Sequence, residues 1–191
     1  MKRMLRSPFL WATLTLLLAI GVAGAWLYLD PPPVAHHAAS ITDDETVLER
    51  AEAGYKAYLA TRTQILQEGG ADPARIENVA AHALSAQMYT TADTIRDGDY
   101  HYTGGWTFTE PQLVNRMIDE YGRAHVILRG CLDATSVVVI SNADGSDITN
   151  EDWTDRRDVI EVTLVTMDEK TDELTPYSST DLPGQECAPL E

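Results

Sequence analysis

Not one charged side chain interrupts the stretch from Phe9 to Leu29 (FLWATLTLLLAIGVAGAWLYL). At roughly 1.5 Å of helical rise per residue, it is long enough to cross a hydrocarbon core about 30 Å thick. Lys2, Arg3 and Arg6 precede it, and Asp30 with Pro31, Pro32 and Pro33 follows. Cationic flanks stay cytoplasmic, so the pattern predicts a transmembrane helix with the remaining chain outside the inner membrane. Trp26 and Tyr28 suit the far interface of a retained anchor. The competing reading is a cleaved secretory signal, with Ala23-Gly24-Ala25 as its small-x-small site. Both readings export the same domain, and no cysteine near the run offers a lipidation site.

The chain then divides into a cytoplasmic basic segment (1–8), the anchor (9–29), a Pro-rich linker (30–41) and an extracytoplasmic domain (42–191). The three prolines favour extended geometry in the linker. Thr42-Asp43-Asp44-Glu45 has the capping-box pattern, with the Thr42 hydroxyl at the N-cap. Behind it Val47, Leu48, Ala51, Tyr55, Tyr58, Leu59, Ile65 and Leu66 recur at helical spacing, until Gly69-Gly70 stops the helix. Asp72-Pro73 opens a second helix. Ile76, Val79, Ala80, Ala83, Leu84, Met88 and Ile95 form its apolar face, and Asp97-Gly98-Asp99 its end.

From Tyr100 the period changes to two. Tyr102 to Thr109 reads as one strand with a bulge or turn at Gly104-Gly105. Leu113 to Asp119 reads as a strand, Glu120-Tyr121-Gly122 as a hairpin turn, and Arg123 to Leu132 as its partner. Ser136 to Ile140 is either an edge segment or a short buried turn. Asn142 to Arg157 reads as a polar loop, and Val159 to Met167 as a strand pairing with Leu174 to Ser179 across the turn between them. Two or three helices before an antiparallel meander predict an α+β domain, with its helices on one sheet face.

The 30 acidic residues all lie at or beyond Asp30, whereas three of the 14 basic ones precede the anchor. The exported part is therefore more negative than the whole chain's −16. Such a surface repels nucleic acid and anionic headgroups, and leaves solubility or docking of a basic partner as its purpose. Cys131 and Cys187 are the whole thiol inventory. In an exported domain an even pair reads as a disulfide, here pinning a Pro-rich tail onto the core.

Several groups resemble chemical sites. In SNADGSDITNED, Gly145 at the sixth position of a calcium loop puts Asp144 at five, Asn142 at three and Glu151 at twelve. Position one then falls on Ile140, which cannot ligate a hard cation. An ordinary Asp-Gly turn is the simpler reading. His36 and His37 lack a third metal ligand, and His82, beside the apolar stripe, reads as structural. Asp99, His101 and Tyr102 would supply an acid and a base only if one pocket gathered them. Trp106, Phe108 and Trp153 read as core or rim packing. No nucleophile elbow, phosphate loop, dinucleotide fingerprint or zinc spacing occurs, so no catalytic residue, metal site or cofactor is assigned.

The anchor, the two helices, the antiparallel sheet, the VILRGCLD strand and the late Cys187 together resemble exported domains of the nuclear transport factor 2-like superfamily, over residues 44 to 187. Similar domains recur in envelope proteins of Gram-positive actinobacteria, many resembling lipoproteins, whose lipid-bearing cysteine this chain lacks. The resemblance implies a cone-shaped domain with a curved sheet wrapped around helices. It also implies one of several roles: an assembly subunit beside secretion or conjugation machinery, an accessory factor of lipid transport, or an isomerase-like pocket protein. Fold does not choose among them. The anchor favours a non-catalytic interaction or scaffold domain that docks envelope protein partners through an acidic or edge-strand surface and self-associates. The alternatives are a small-molecule-binding or isomerase-like pocket and a soluble protein released after Ala25.

Overall fold

The computed structural model describes residues 43–150, 156–167 and 173–188, all on the C-terminal side of a division between Ala35 and His36. The expected anchor, the linker with His36 and His37, Trp153, and the side chain of His82 lie outside what is described. Among the described residues no helix is long and apolar enough to cross a membrane. The architecture is mixed, helices with open curved antiparallel sheets, which is the expected α+β class.

Helix α1 spans Asp44–Gln67, and its cap is Asp43 rather than the expected Thr42. The Asp43 carboxylate accepts from the Thr46 backbone N–H at 3.1 Å and from its hydroxyl at 2.6 Å. That bond satisfies a donor the first helical turn leaves unpaired. Gly69 (φ 68°) and Gly70 (φ 78°) end the helix in a left-handed conformation that costs glycine nothing.

The expected second helix is divided. Pro73–Asn78 is a 3₁₀ helix, and helix α2 runs from His82 to Gly98. The break has a tertiary cause: the Ala81 N–H donates to the Pro176 carbonyl of a distant strand at 2.8 Å instead of to its own turn. The face also differs from expectation, since Ala83 is exposed and Ala92 is buried. Asp99, left-handed at φ 53°, caps the C-terminal end.

The expected Tyr102–Thr109 strand is two strands in separate sheets. Strand β1 (Tyr100–Thr103) pairs with β4 (Val138–Ser141), so the segment around Ser136 to Ile140 is an edge strand. Strands β2 (Thr107–Ile118), β3 (Ala124–Asp133), β5 (Arg157–Thr166) and β6 (Leu174–Asp181) form the larger antiparallel sheet in the order β2-β3-β5-β6. The exchange occurs at Gly104, where a Cβ would lie 1.8 Å from the Ser136 carbonyl oxygen. The Ser136 hydroxyl donates to the Gly105 carbonyl at 2.8 Å and holds the crossing.

Along β3, Ala124, Val126 and Leu128 are buried while His125, Ile127 and Arg129 are half-buried, so one face carries the core. Tyr55, Ile65 and Leu66 of α1 and Ile95 of α2 pack there against Leu128, Ile160, Val162 and Leu164. Both sheet edges are irregular. β2 carries Glu110 at φ 54° before Pro111 and register shifts at Thr109/Gln112 and Leu113/Asn115, and β6 shifts opposite Thr163/Leu164. Bulges and prolines of this kind bend a sheet and blunt its edges against strand addition.

The pairing gives the sheet two distinct ends. At one lie the end of β2, the start of β3 and the end of β5, joined by the pairs Ile118 with Ala124 and His125 with Val165. At the other lie the start of β2, the end of β3, the start of β5 and the end of β6. About ten residues at roughly 3.3 Å each separate the two ends by on the order of 30 Å.

Candidate functional site

The helical repeat of α1 places Tyr55, Tyr58, Leu59 and Arg62 on one side, directed at the second of these ends. There they meet Leu84 and Gln87 of α2, Trp106, Leu132, Asp158, Ser179 and Asp181 from the sheet, and Ala134 and Arg156 just outside its strands. Between them is a half-open cleft of about 280 Å³. Its floor is aromatic. Tyr55 stacks on Tyr58 with ring centroids 5.7 Å apart and meets Phe108 edge-on at 4.8 Å.

Two cations differ in their company. Arg156 is committed to the wall, ion-paired with Asp158 and 3.6 Å from Asp181, which ties the start of β5 to the end of β6. The Arg62 guanidinium lies 3.9 Å above the centroid of the Trp106 ring, and among the described residues no carboxylate pairs with it. A cation over an indole face is held in place by the ring's quadrupole, and its N–H edges remain free to donate.

Burial pushes the Tyr55 hydroxyl far above the ordinary tyrosine range; the neighbouring Tyr58 adds to this, while a hydrogen bond with Ser179 and the Arg62 charge oppose it. Burial likewise raises Tyr58, against the pull of Arg62. Both phenols therefore stay protonated at any ordinary pH and present donors. The cleft offers tyrosine donors, one oriented cation and apolar walls, whereas both of its carboxylates face Arg156.

The expected cysteine pair is joined, Cys131 to Cys187, with Cα atoms 5.6 Å apart. Cys131 lies on the sheet face away from the helices, so the bond draws the C-terminal tail across that outer face. Leu182 N–H to the Val159 carbonyl and Arg157 Nη1 to the Ala188 carbonyl, both 2.8 Å, hold the same tail. Beside the disulfide is a hollow of about 210 Å³ whose cation, Arg129, already pairs with Glu161 at 2.6 Å.

The acid–base trio is not gathered. His101 Nδ1 lies 2.7 Å from Asn142 Oδ1, and Asn142 Nδ2 donates to Asp99 at 3.2 Å. Tyr102 points to the opposite side of β1, packing against Tyr100 and Trp106. In the expected Asp-Gly loop, Asp144 accepts from Ser146 and Asp147 from Thr149, so these carboxylates are spent on local turns. Among the described residues no three histidine, cysteine, aspartate or glutamate side chains gather around a metal position.

The opposite end of the sheet is apolar and exposed. Met117 (53%), Ile118 (47%), Tyr121 (64%) and Met167 (58%) cluster around the β2–β3 hairpin and the end of β5. The turn itself is rigid. Asp119 accepts from the N–H groups of Tyr121 and Arg123, both at 2.9 Å, and from Arg123 Nε at 2.8 Å.

Arg62 escaped the sequence reading although a signal was present. It falls at i+3 and i+4 from Leu59 and Tyr58 on the stripe that continues to Ile65 and Leu66, so the periodicity alone marks it as a cation among core positions. Arg156, Asp158, Ser179 and Asp181 carry no such signal, because only the strand register brings them together.

No family model matches the sequence, and no curated protein matches it. Among solved structures, the crystal structure of the intermembrane space region of the chloroplast protein ARC6 is similar, with a TM-score of 0.50 and 9% identity. The match covers 71% of this chain and 95% of that chain, and at this identity it shows likeness of fold alone.

Proposed function

We propose that this chain is a non-catalytic interaction domain, tethered by residues 9–29 and working outside the inner membrane on an envelope protein. The exposed apolar end formed by Met117, Ile118, Tyr121 and Met167 carries this reading, since surfaces of this kind rimmed by polar residues mark docking sites. Asp119 and Glu120 sit within that end, and the chain's net charge of −16 favours a basic partner. The bulged, proline-bearing edge of β2 argues for docking through side chains rather than through strand addition. Self-association uses the same surface. In fold terms the domain is read as a cone of the nuclear transport factor 2-like kind, supported by helices on one face of the sheet and a cleft at one end.

Photo-crosslinking in intact cells tests it, with a photoreactive amino acid at Met117 or Tyr121 and a control at exposed Thr90. The reading expects one discrete adduct from the first two positions, in a membrane fraction that resists carbonate washing. A carbonate-soluble protein, or equal smears from all three positions, would overturn it.

A second reading has its own observation, the cleft around Arg62. It makes the domain a binder of small molecules, because the cleft offers Arg62 and tyrosine hydroxyls to a ligand while its two carboxylates, Asp158 and Asp181, face Arg156. Protection of cleft residues by a small ligand, with the apolar end unaffected, is its test.

A further inference from the structure

We propose that the cleft recognises a singly charged carboxylate on a small, partly apolar molecule, with Arg62 as the recognising cation and the Tyr58 hydroxyl as a second donor. The inference rests on the pocket reading and names its ligand class.

Four observations carry it. Arg62 is fixed over Trp106, 3.9 Å from its centroid, which removes much of the ordering cost that a free arginine incurs on binding. Its charge is not neutralised by any described carboxylate, whereas Arg156 in the same cleft is held by Asp158 and Asp181. The guanidinium edge suits the two oxygens of a carboxylate in a forked pair. Tyr58, one helical turn before Arg62 on the same side, adds a protonated hydroxyl, while Leu59, Leu84, Leu132 and Trp106 supply apolar wall.

Charge selects against a dianion. The cleft holds Arg62 and Arg156 against Asp158 and Asp181, so its formal balance is even before a ligand enters. One negative charge pairs with Arg62. A second, as on a phosphate monoester, faces the two aspartates without a cation left to meet it. Size adds a limit, because about 280 Å³ lies just under the usual range of ligand cavities, roughly 300–1,000 Å³. The fitting molecule is therefore a compact aryl or short-chain monocarboxylate.

The experiment titrates the detergent-solubilised full chain with phenylacetate, phenyl phosphate and the neutral phenylacetamide, followed by calorimetry and by indole N–H resonances. Phenylacetate should perturb the Trp106 resonance, assigned by a Trp106→Phe variant, and bind at least tenfold more tightly than the amide or the phosphate. Arg62→Gln should abolish that preference with the fold intact by circular dichroism, and Arg62→Lys should retain part of it. Raising the salt from 50 to 500 mM should weaken phenylacetate and leave the amide unchanged. Equal binding of acid and amide, unaltered by Arg62→Gln, would overturn the carboxylate inference and leave the pocket reading standing. Tighter binding of phenyl phosphate would overturn the monoanion argument. No perturbation of Trp106 by any of the three would overturn both.

Discussion

Gly54 of α1 lies against the carbonyl of Leu174 at the start of β6, so closely that a Cβ there would sit 2.2 Å from the oxygen. Two effects of Gly54→Ala oppose one another. Helix propensity alone gains about 1 kcal/mol. The clash is with backbone that is itself paired, Leu174 opposite Thr166, and cannot give way as a side-chain tip would. Overpacking of this kind costs about 1–3 kcal/mol, so the net effect is destabilising. Urea unfolding should show a lower midpoint at unchanged slope; a raised midpoint would mean that the helix stands off the sheet.

The Cys131–Cys187 bond spans 56 positions, and in the loop-entropy account it contributes about 4 kcal/mol through the unfolded chain, less any native strain. Cys187→Ser should lower stability by about 2–4 kcal/mol and free the tail beyond Leu182 to proteolysis. Alkylation without reduction, followed by mass spectrometry, should label neither thiol in the native protein. Labelling at both would remove the disulfide from the account.

How much of this was legible in the sequence depends on whether the deciding interactions are local. The stripe of α1 from Val47 to Leu66 and the alternation of Val159 to Met167 are properties of the segments themselves, and both elements form where the periodicity puts them. The second helix is divided because Ala81 spends its N–H on Pro176, nearly a hundred residues away, which no local pattern encodes. The strand read across Gly104-Gly105 changes sheets because Ser136 meets the chain there. Conversely, Asp99, His101 and Tyr102 are adjacent in sequence, but strand alternation sends Tyr102 to the other side. The cleft's charged wall is purely a product of register.

Acid should unfold the domain through a small set of carboxylates. Burial alone would raise Asp119, but hydrogen bonds from Arg123 and Tyr121 backbone N–H groups, His125 and the Arg123 side chain outweigh it and hold its pKa well below the usual range. Asp133 is lowered as well, by the Thr135 hydroxyl and N–H and by Arg157, against burial. A carboxyl whose folded pKa lies below its unfolded value of about 3.9 stabilises fully above that pH. The contribution is lost as pH falls below about 4 towards the folded pKa. Asp119→Asn should therefore reduce stability at neutral pH and make its decline below pH 4 shallower. An equally steep acid limb in the variant would place the coupling elsewhere.

The apolar end provides the sharpest separation of folding from docking. Met117 and Met167 are more than half exposed, so neither holds the core together. Surface substitutions away from caps, turns and ion pairs usually change stability by no more than about 0.5 kcal/mol. Met117→Ser combined with Met167→Ser should therefore unfold at nearly the wild-type urea midpoint while losing most crosslinked adduct. The rigid turn beneath them, held by Asp119, keeps the geometry of Tyr121 constant across the comparison. Loss of more than about 1 kcal/mol would show these methionines to be structural, and an unchanged adduct would move the docking surface elsewhere.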